Sequence, residues 1–166
     1  MKGIKLMAIS LVILFLLITI LAALMPSTVL VSRAVNIVSS KDSLSYYLND
    51  IQQWKAWIEG MDKPEVKIYS STKADLAGTI VNLTNISDTT IISTWQTKDG
   101  RIQIATIRLI DAPLQKLTIV QWQFVQHLKW YPWEKFGSIM NDKILGTMME
   151  KNLNSLKLLL EKNNLQ

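Results

Sequence analysis

From Leu6 to Met25 an apolar run carries no charged residue and closes at Pro26; beyond it, apolar and polar positions alternate with short periods to the end of the chain. At about 1.5 Å per residue, 20 helical residues span roughly 30 Å, the thickness of a bilayer's hydrocarbon core. Ser10 and Thr19 are the only hydroxyl residues in the run, and both can bond to carbonyls of the preceding turn. Residues 1–26 therefore read as a transmembrane anchor and 27–166 as one domain with a sizeable core.

Within that domain, Val29, Val31, Val35 and Ile37 share one face of a strand predicted over Thr28–Val38, and Arg33 interrupts that face. Ser39-Ser40-Lys41-Asp42-Ser43 supplies side chains able to cap a helix. Leu44, Tyr47, Leu48, Ile51, Trp54, Trp57 and Ile58 then follow at helical spacing, as one or two short helices with a break near Asn49-Asp50. From Val66 the period becomes two. Strands are predicted over Val66–Ser70, Leu76–Asn85, Thr89–Thr97, Arg101–Ile110 and Leu117–Gln126, each rich in Ile, Val, Thr or aromatic residues. The connections at 85–88 and 98–100 have hairpin length, and Asp111-Ala112-Pro113 reads as a corner. An antiparallel meander is the consequence.

The last segment is helical. Trp133, Phe136, Met140, Ile144, Met148, Met149, Leu153, Leu156 and Leu160 form a stripe predicted to face the core, with Glu134, Lys135, Asp142, Lys151, Lys157 and Glu161 in water. Gly137 and Gly146 each cost about 1 kcal/mol relative to Ala inside a helix. Close approach of the helix to the sheet, or a kink, would compensate.

Charge and composition narrow the function classes. Removing Lys2 and Lys5 from the 18 basic residues leaves 16 against 13 acidic ones, scattered without a basic run, which argues against nucleic acid. Lys2 and Lys5 ahead of the apolar run place the N-terminus in the cytoplasm and the domain outside. A cleaved secretory signal is the rival reading; the length of the run and the absence of a small-x-small site before Pro26 favour an uncleaved anchor. With no cysteine, the chain has no disulfides and no thiol chemistry.

The element order is that of the helix-grip fold, and local residues carry the resemblance further. Val29 to Ile37 resembles the first strand of bacterial polyketide cyclase/dehydrase-like proteins. Leu48-Asn49-Asp50-Ile51-Gln52-Gln53-Trp54-Lys55-Ala56-Trp57 resembles their Asn-Asp-x3-Trp-x2-Trp segment, and Asp142-Lys143-Ile144-Leu145-Gly146 followed by Leu153-Asn154-Ser155-Leu156-Lys157 resembles their last helix. Ser39-Ser40 stands where these relatives usually have Ala-Pro. The resemblance, to the superfamily that also holds START lipid-transfer and plant Bet v 1-like proteins, implies an α+β fold. A curved antiparallel sheet, two short helices and a long C-terminal helix would enclose a cavity. It further implies a bacterial protein, anchored by one pass in the inner (cytoplasmic) membrane with its domain facing the periplasm.

Such a cavity binds a hydrophobic small molecule or lipid and needs no cofactor or metal. Its candidate walls are Trp57, Tyr69, Trp95, Trp122, Phe124, Met140 and Met148, all equally compatible with core packing. Arg33 and Arg108 could hold a ligand carboxylate or phosphate; the alternative is a structural ion pair, for Arg33 with Asp42 or Asp111, or a snorkelling side chain. Trp130, Tyr131 and Trp133 mark either the cavity entrance, an interfacial contact or an anchor in the core. His127, the only histidine, has no carboxylate neighbour in its segment, and neither a nucleophile elbow nor a zinc-binding helix motif is present. Two further readings stay open. One is an enzyme (cyclase, dehydratase or hydrolase) using Arg33, Tyr69 or His127 in the same cavity; the other is a non-catalytic interaction or stress-response module.

Overall fold

The computed structural model describes residues 2–112 and 117–163. The apolar run forms helix α1 (Lys2–Leu24), and strand β1 (Thr28–Ile37) follows after three residues. Helix α2 (Lys41–Leu48) starts where the Ser40 hydroxyl accepts the Ser43 amide. After the break expected at Asn49-Asp50 the chain tightens into a 3-10 helix, Ile51–Ala56, capped by the Asp50 carboxylate on the Gln52 amide at 2.8 Å. Six strands then run as β2 (Val66–Ile68), β3 (Lys73–Leu76), β4 (Thr79–Ile86), β5 (Thr90–Gln96), β6 (Ile102–Ala112) and β7 (Leu117–His127), and helix α3 (Pro132–Asn163) ends the fold.

The sheet has seven antiparallel strands in the order β1-β7-β6-β5-β4-β3-β2, so the first strand of the domain pairs with the last. That pairing runs unbroken from Thr28 opposite His127 to Ile37 opposite Thr118. The two short helices carry the chain from the β1 edge to the β2 edge, and the meander returns it. This is the helix-grip order.

One strand was expected where two exist. The segment from Lys73 to Ile86 folds back at Ala77-Gly78, both with positive φ (54° and 96°), into the β3–β4 hairpin. An alanine in the left-handed region is an uncommon turn residue, so the sequence carries no Asn-Gly-type signal there. Asp111 and Ala112, read as part of a corner, belong to β6, and Pro113 lies outside the described residues.

The core sits between one sheet face and the helices. Along β6 and β7 the inward residues are Ala105, Ile107 and Leu109, then Val120, Trp122 and Phe124. The second half of α3 closes over them with Met149, Leu153, Leu156 and Leu160, all at most 2% exposed.

The first half of α3 departs from the expected single stripe. Trp133, Phe136, Met140 and Ile144 are exposed, at 65%, 42%, 64% and 65%. On the opposite side, Lys135 and Ser138 are buried instead. The reason is that the end of α1, rather than the sheet, covers this part of α3. Ala22 is fully buried there, Ile18, Thr19 and Met25 are half-buried, and the rest of the described α1 is exposed. The Lys135 ammonium donates to Met25 O (3.1 Å), Pro26 O (2.8 Å) and Ser27 Oγ (2.9 Å), which uses all three of its donors.

Candidate functional site

Four of the expected wall residues do come together, but as a packed cluster. Trp54 stacks on Trp95 with centroids 6.1 Å apart, Trp57 meets Trp122 edge-on at 5.7 Å, and Phe124 lies 5.2 Å from Trp95 and 5.5 Å from Trp122. The indole N–H groups are satisfied within the fold. Trp54 Nε1 donates to Leu48 O and Trp57 Nε1 to Tyr47 O, at 3.1 and 3.2 Å, and Trp95 Nε1 donates to Ser93 Oγ at 2.9 Å. These rings fill the middle of the grip, so Trp57, Trp95, Trp122 and Phe124 act there as core. Met148 is half-buried against the same core.

The open space lies further along, between the exposed start of α3 and the far ends of β6 and β7. A groove of about 370 Å³ is walled on the helix side by Trp133, Glu134, Gly137, Ser138, Met140 and Ile144, and on the sheet side by Arg101, Gln126 and Leu128. Of the nine residues expected in a ligand site, Met140 alone lines it. At its polar end a second hollow of about 270 Å³ continues past Arg101 and Gln126 to Asp99, Ile102, His127 and Lys129. Its charges are balanced. Arg101 Nε donates to Asp99 at 2.6 Å, and the Thr97 hydroxyl, followed by Arg101, holds the Asp99 carboxyl below the usual carboxylate range. Glu134 Oε2 accepts the Lys129 amide at 2.8 Å, fixing the loop that enters α3. The combination is an apolar trough with a polar but nearly neutral end.

Gly137 matters to the shape of that trough. A Cβ added there would meet nothing within 4 Å, so the glycine leaves the groove open rather than permitting a close contact. Gly146 does the opposite. A Cβ at that position would fall on the guanidinium of Arg33, which crosses the helix there to reach Glu150 Oε1 at 2.6 Å. Arg33 therefore forms a structural ion pair, but with Glu150 of α3 rather than with Asp42 or Asp111; Asp111 is instead bound by Lys41 at 2.5 Å. The Arg33 guanidinium also donates to Ser32 O at 2.8 Å, which leaves it committed to structure.

The remaining expected site residues stand elsewhere. Arg108 lies on the sheet face away from the core, exposed, and donates to Gln123 Oε1 at 3.1 Å; strand parity sends it outward because Ile107 and Leu109 point in. Tyr69 is 59% exposed beside Gln52, Gln53 and Lys55, near the β2 edge of the sheet. His127 ends β7, exposed, with its Nδ1 3.2 Å from Thr28 Oγ1. Arg33, Tyr69 and His127 thus do not converge on one cavity. Among the described residues, no three His, Asp or Glu side chains converge as a metal site would require.

Reading the sequence missed the groove's Arg101, Gln126, Leu128, Gly137 and Ile144 as site residues. A usable signal existed in Trp133, Gly137, Met140 and Ile144, which share one helical face, where a glycine amid large apolar residues marks a depression.

No family model matches the sequence, and no curated protein matches it. In three dimensions the chain is similar to protein XoxI from Bacillus cereus (TM-score 0.58, 11% identity, covering 81% of this chain and 97% of that one). It is also similar to a START superfamily protein from Mycobacterium smegmatis (TM-score 0.55, 16% identity, 80% and 97% covered). A protein from Staphylococcus epidermidis superposes with a TM-score of 0.56 at 14% identity, over 82% and 91% of the two chains. The fold is a helix grip preceded by one helix long and apolar enough to cross a membrane.

Proposed function

We propose that this protein is a membrane-tethered binder of a hydrophobic or amphiphilic small molecule, with α1 as a single-pass anchor and the domain on the outer face of a bacterial cytoplasmic membrane. The observation that carries the reading is the groove beneath the first half of α3, where Trp133, Met140 and Ile144 present apolar surface opposite Leu128. An acyl or polycyclic body fits that surface. A polar head of balanced charge fits the Arg101, Gln126 and Lys129 end, because Asp99 already neutralises Arg101. Similarity in fold to the START superfamily protein from Mycobacterium smegmatis supports a ligand-binding domain in general. Tethering raises the concentration of the groove near the bilayer, where such ligands partition.

Native mass spectrometry of the full chain extracted in mild detergent tests this, using the wild type and Gly137→Phe. A Cβ at this position meets nothing within 4 Å, so the ring is expected to fill the trough, and cooperative unfolding of the variant checks that the fold is kept. A lipid-mass adduct on the wild type that disappears from the variant is the expected result. Equal occupancy in both, or a bare wild type across several expression conditions, would remove the proposal.

A further inference from the structure

The exposed apolar face of α3 and the packing of α1 belong together. Ile18, Thr19 and Ala22 are the covered residues of α1, α3 is the element that α1 chiefly contacts, and Ile18 lies six residues before the end of α1 at Leu24, or about 9 Å down the helix axis. If α1 spans the bilayer, α3 residues packed on Ile18 and Ala22 sit below the membrane surface. The side chains on the far side of that part of α3 then face lipid. They are the ones left uncovered by the protein: Phe136 and Ile139, exposed at 42% and 61%, with Trp133 and Met140 beside them.

We infer that the N-terminal half of α3 is embedded in the leaflet from which α1 emerges, and that the groove exchanges its ligand laterally with that leaflet. The inference rests on the reading of α1 as a membrane span. Charge placement supports it. Of the described charged side chains from Trp133 to Ile144, Lys143 is exposed, and a lysine near a membrane surface can snorkel to water; Glu134, which accepts the Lys129 amide, and Asp142 are half-buried. The other cation, Lys135, is 2% exposed and gives its three donors to the carbonyls and hydroxyl at the end of α1. These acceptors lie in the link just past the C-terminus of α1, where the negative end of the helix macrodipole also favours a cation, so the ammonium is compensated without water. The rings of Trp130, Tyr131 and Trp133 follow one another at 4.9 Å at the head of α3, as residues of a bilayer interface do. Water facing this surface would instead hydrate several large apolar side chains for no return.

The chain has no cysteine, so single labels are clean. Nitroxides at Phe136→Cys, Ile139→Cys and Leu158→Cys would be read in the full chain reconstituted in phospholipid vesicles, with Ile13→Cys as the reference inside α1. Labels at 136 and 139 are expected to collide preferentially with oxygen, as the label at 13 does, while the label at 158 collides with a water-soluble nickel chelate. Nickel accessibility at 136 and 139, with 13 still shielded, would overturn the embedding and leave the binder standing. Shielding of 136 and 139 from both reagents would overturn it in favour of a protein occupant, a second copy of the chain included. Nickel accessibility at 13 would overturn the tether as well. Groove occupancy by mass spectrometry depends on none of these depths, so the two proposals fail separately.

Discussion

Arg33 shows how a residue that looks functional in one strand becomes structural once a distant helix is in place. Its guanidinium occupies the space above Gly146 and pairs with Glu150, with the two side chains 29% and 57% exposed. Such a partly hydrated pair contributes at most about 1 kcal/mol. Replacing Gly146 by Ala should gain about 1 kcal/mol of helix propensity. In the native background the new methyl displaces Arg33 from Glu150, and the two effects nearly cancel. In an Arg33→Ala background the gain should appear in full. Denaturant unfolding of the full chain in micelles, followed by tryptophan fluorescence, gives the four corners of this cycle. Equal gains in both backgrounds would show that the guanidinium does not fill that space. Alternation along β1 is enough to place Arg33 on the inner face. Its partner lies 117 residues away, and no local pattern carries that distance.

At the scale of elements, α3 is one continuous helix with two different environments. Met140 and Met149 belong to the same apolar pattern, yet one is 64% exposed and the other fully buried. Met149→Ala should cost about 2–5 kcal/mol through the cavity it leaves, whereas Met140→Ala should change stability by less than about 0.5 kcal/mol. The same unfolding experiment checks both, and a large loss at Met140 would mean that the groove wall is core. Periodicity revealed this helix, the break between α2 and the 3-10 helix, and most of the strands, because each depends on neighbours three or four residues away or fewer. It could not reveal which stretch of the stripe the sheet would reach. Lys135 reads as a solvated position for the same reason: its acceptors at Met25 and Pro26 are 110 and 109 residues away. The β3–β4 hairpin escaped because Ala77 takes a backbone conformation its side chain disfavours.

For the whole molecule, the decisive relation is that the first strand, the last strand and the end of α1 all meet at the groove end of the domain. Thr28 pairs with His127, the Leu128 amide donates to Ser27 O at 2.7 Å, and Lys135 ties the same three-residue link to α3. Helix α1 is therefore clamped to the groove end of the domain rather than joined by a free linker, and on the proposed reading of α1 as a membrane span, domain orientation follows from that span. The apolar face of α3 should hold the domain on lipid even without that span. A chain beginning at Ser27 keeps Trp133, Phe136, Ile139 and Met140, and burying such side chains contributes about 1.5–3 kcal/mol each when complete. After cooperative unfolding confirms that it is folded, it should sediment with neutral phosphatidylcholine vesicles. A Phe136→Glu, Ile139→Glu version should stay in the supernatant, since both substitutions lie outside the groove and outside the core. Neutral lipid excludes attraction of the basic residues as the cause. If both chains sediment equally, the contact is not made by this face; if neither does, α1 alone holds the protein at the membrane and the stripe needs another occupant.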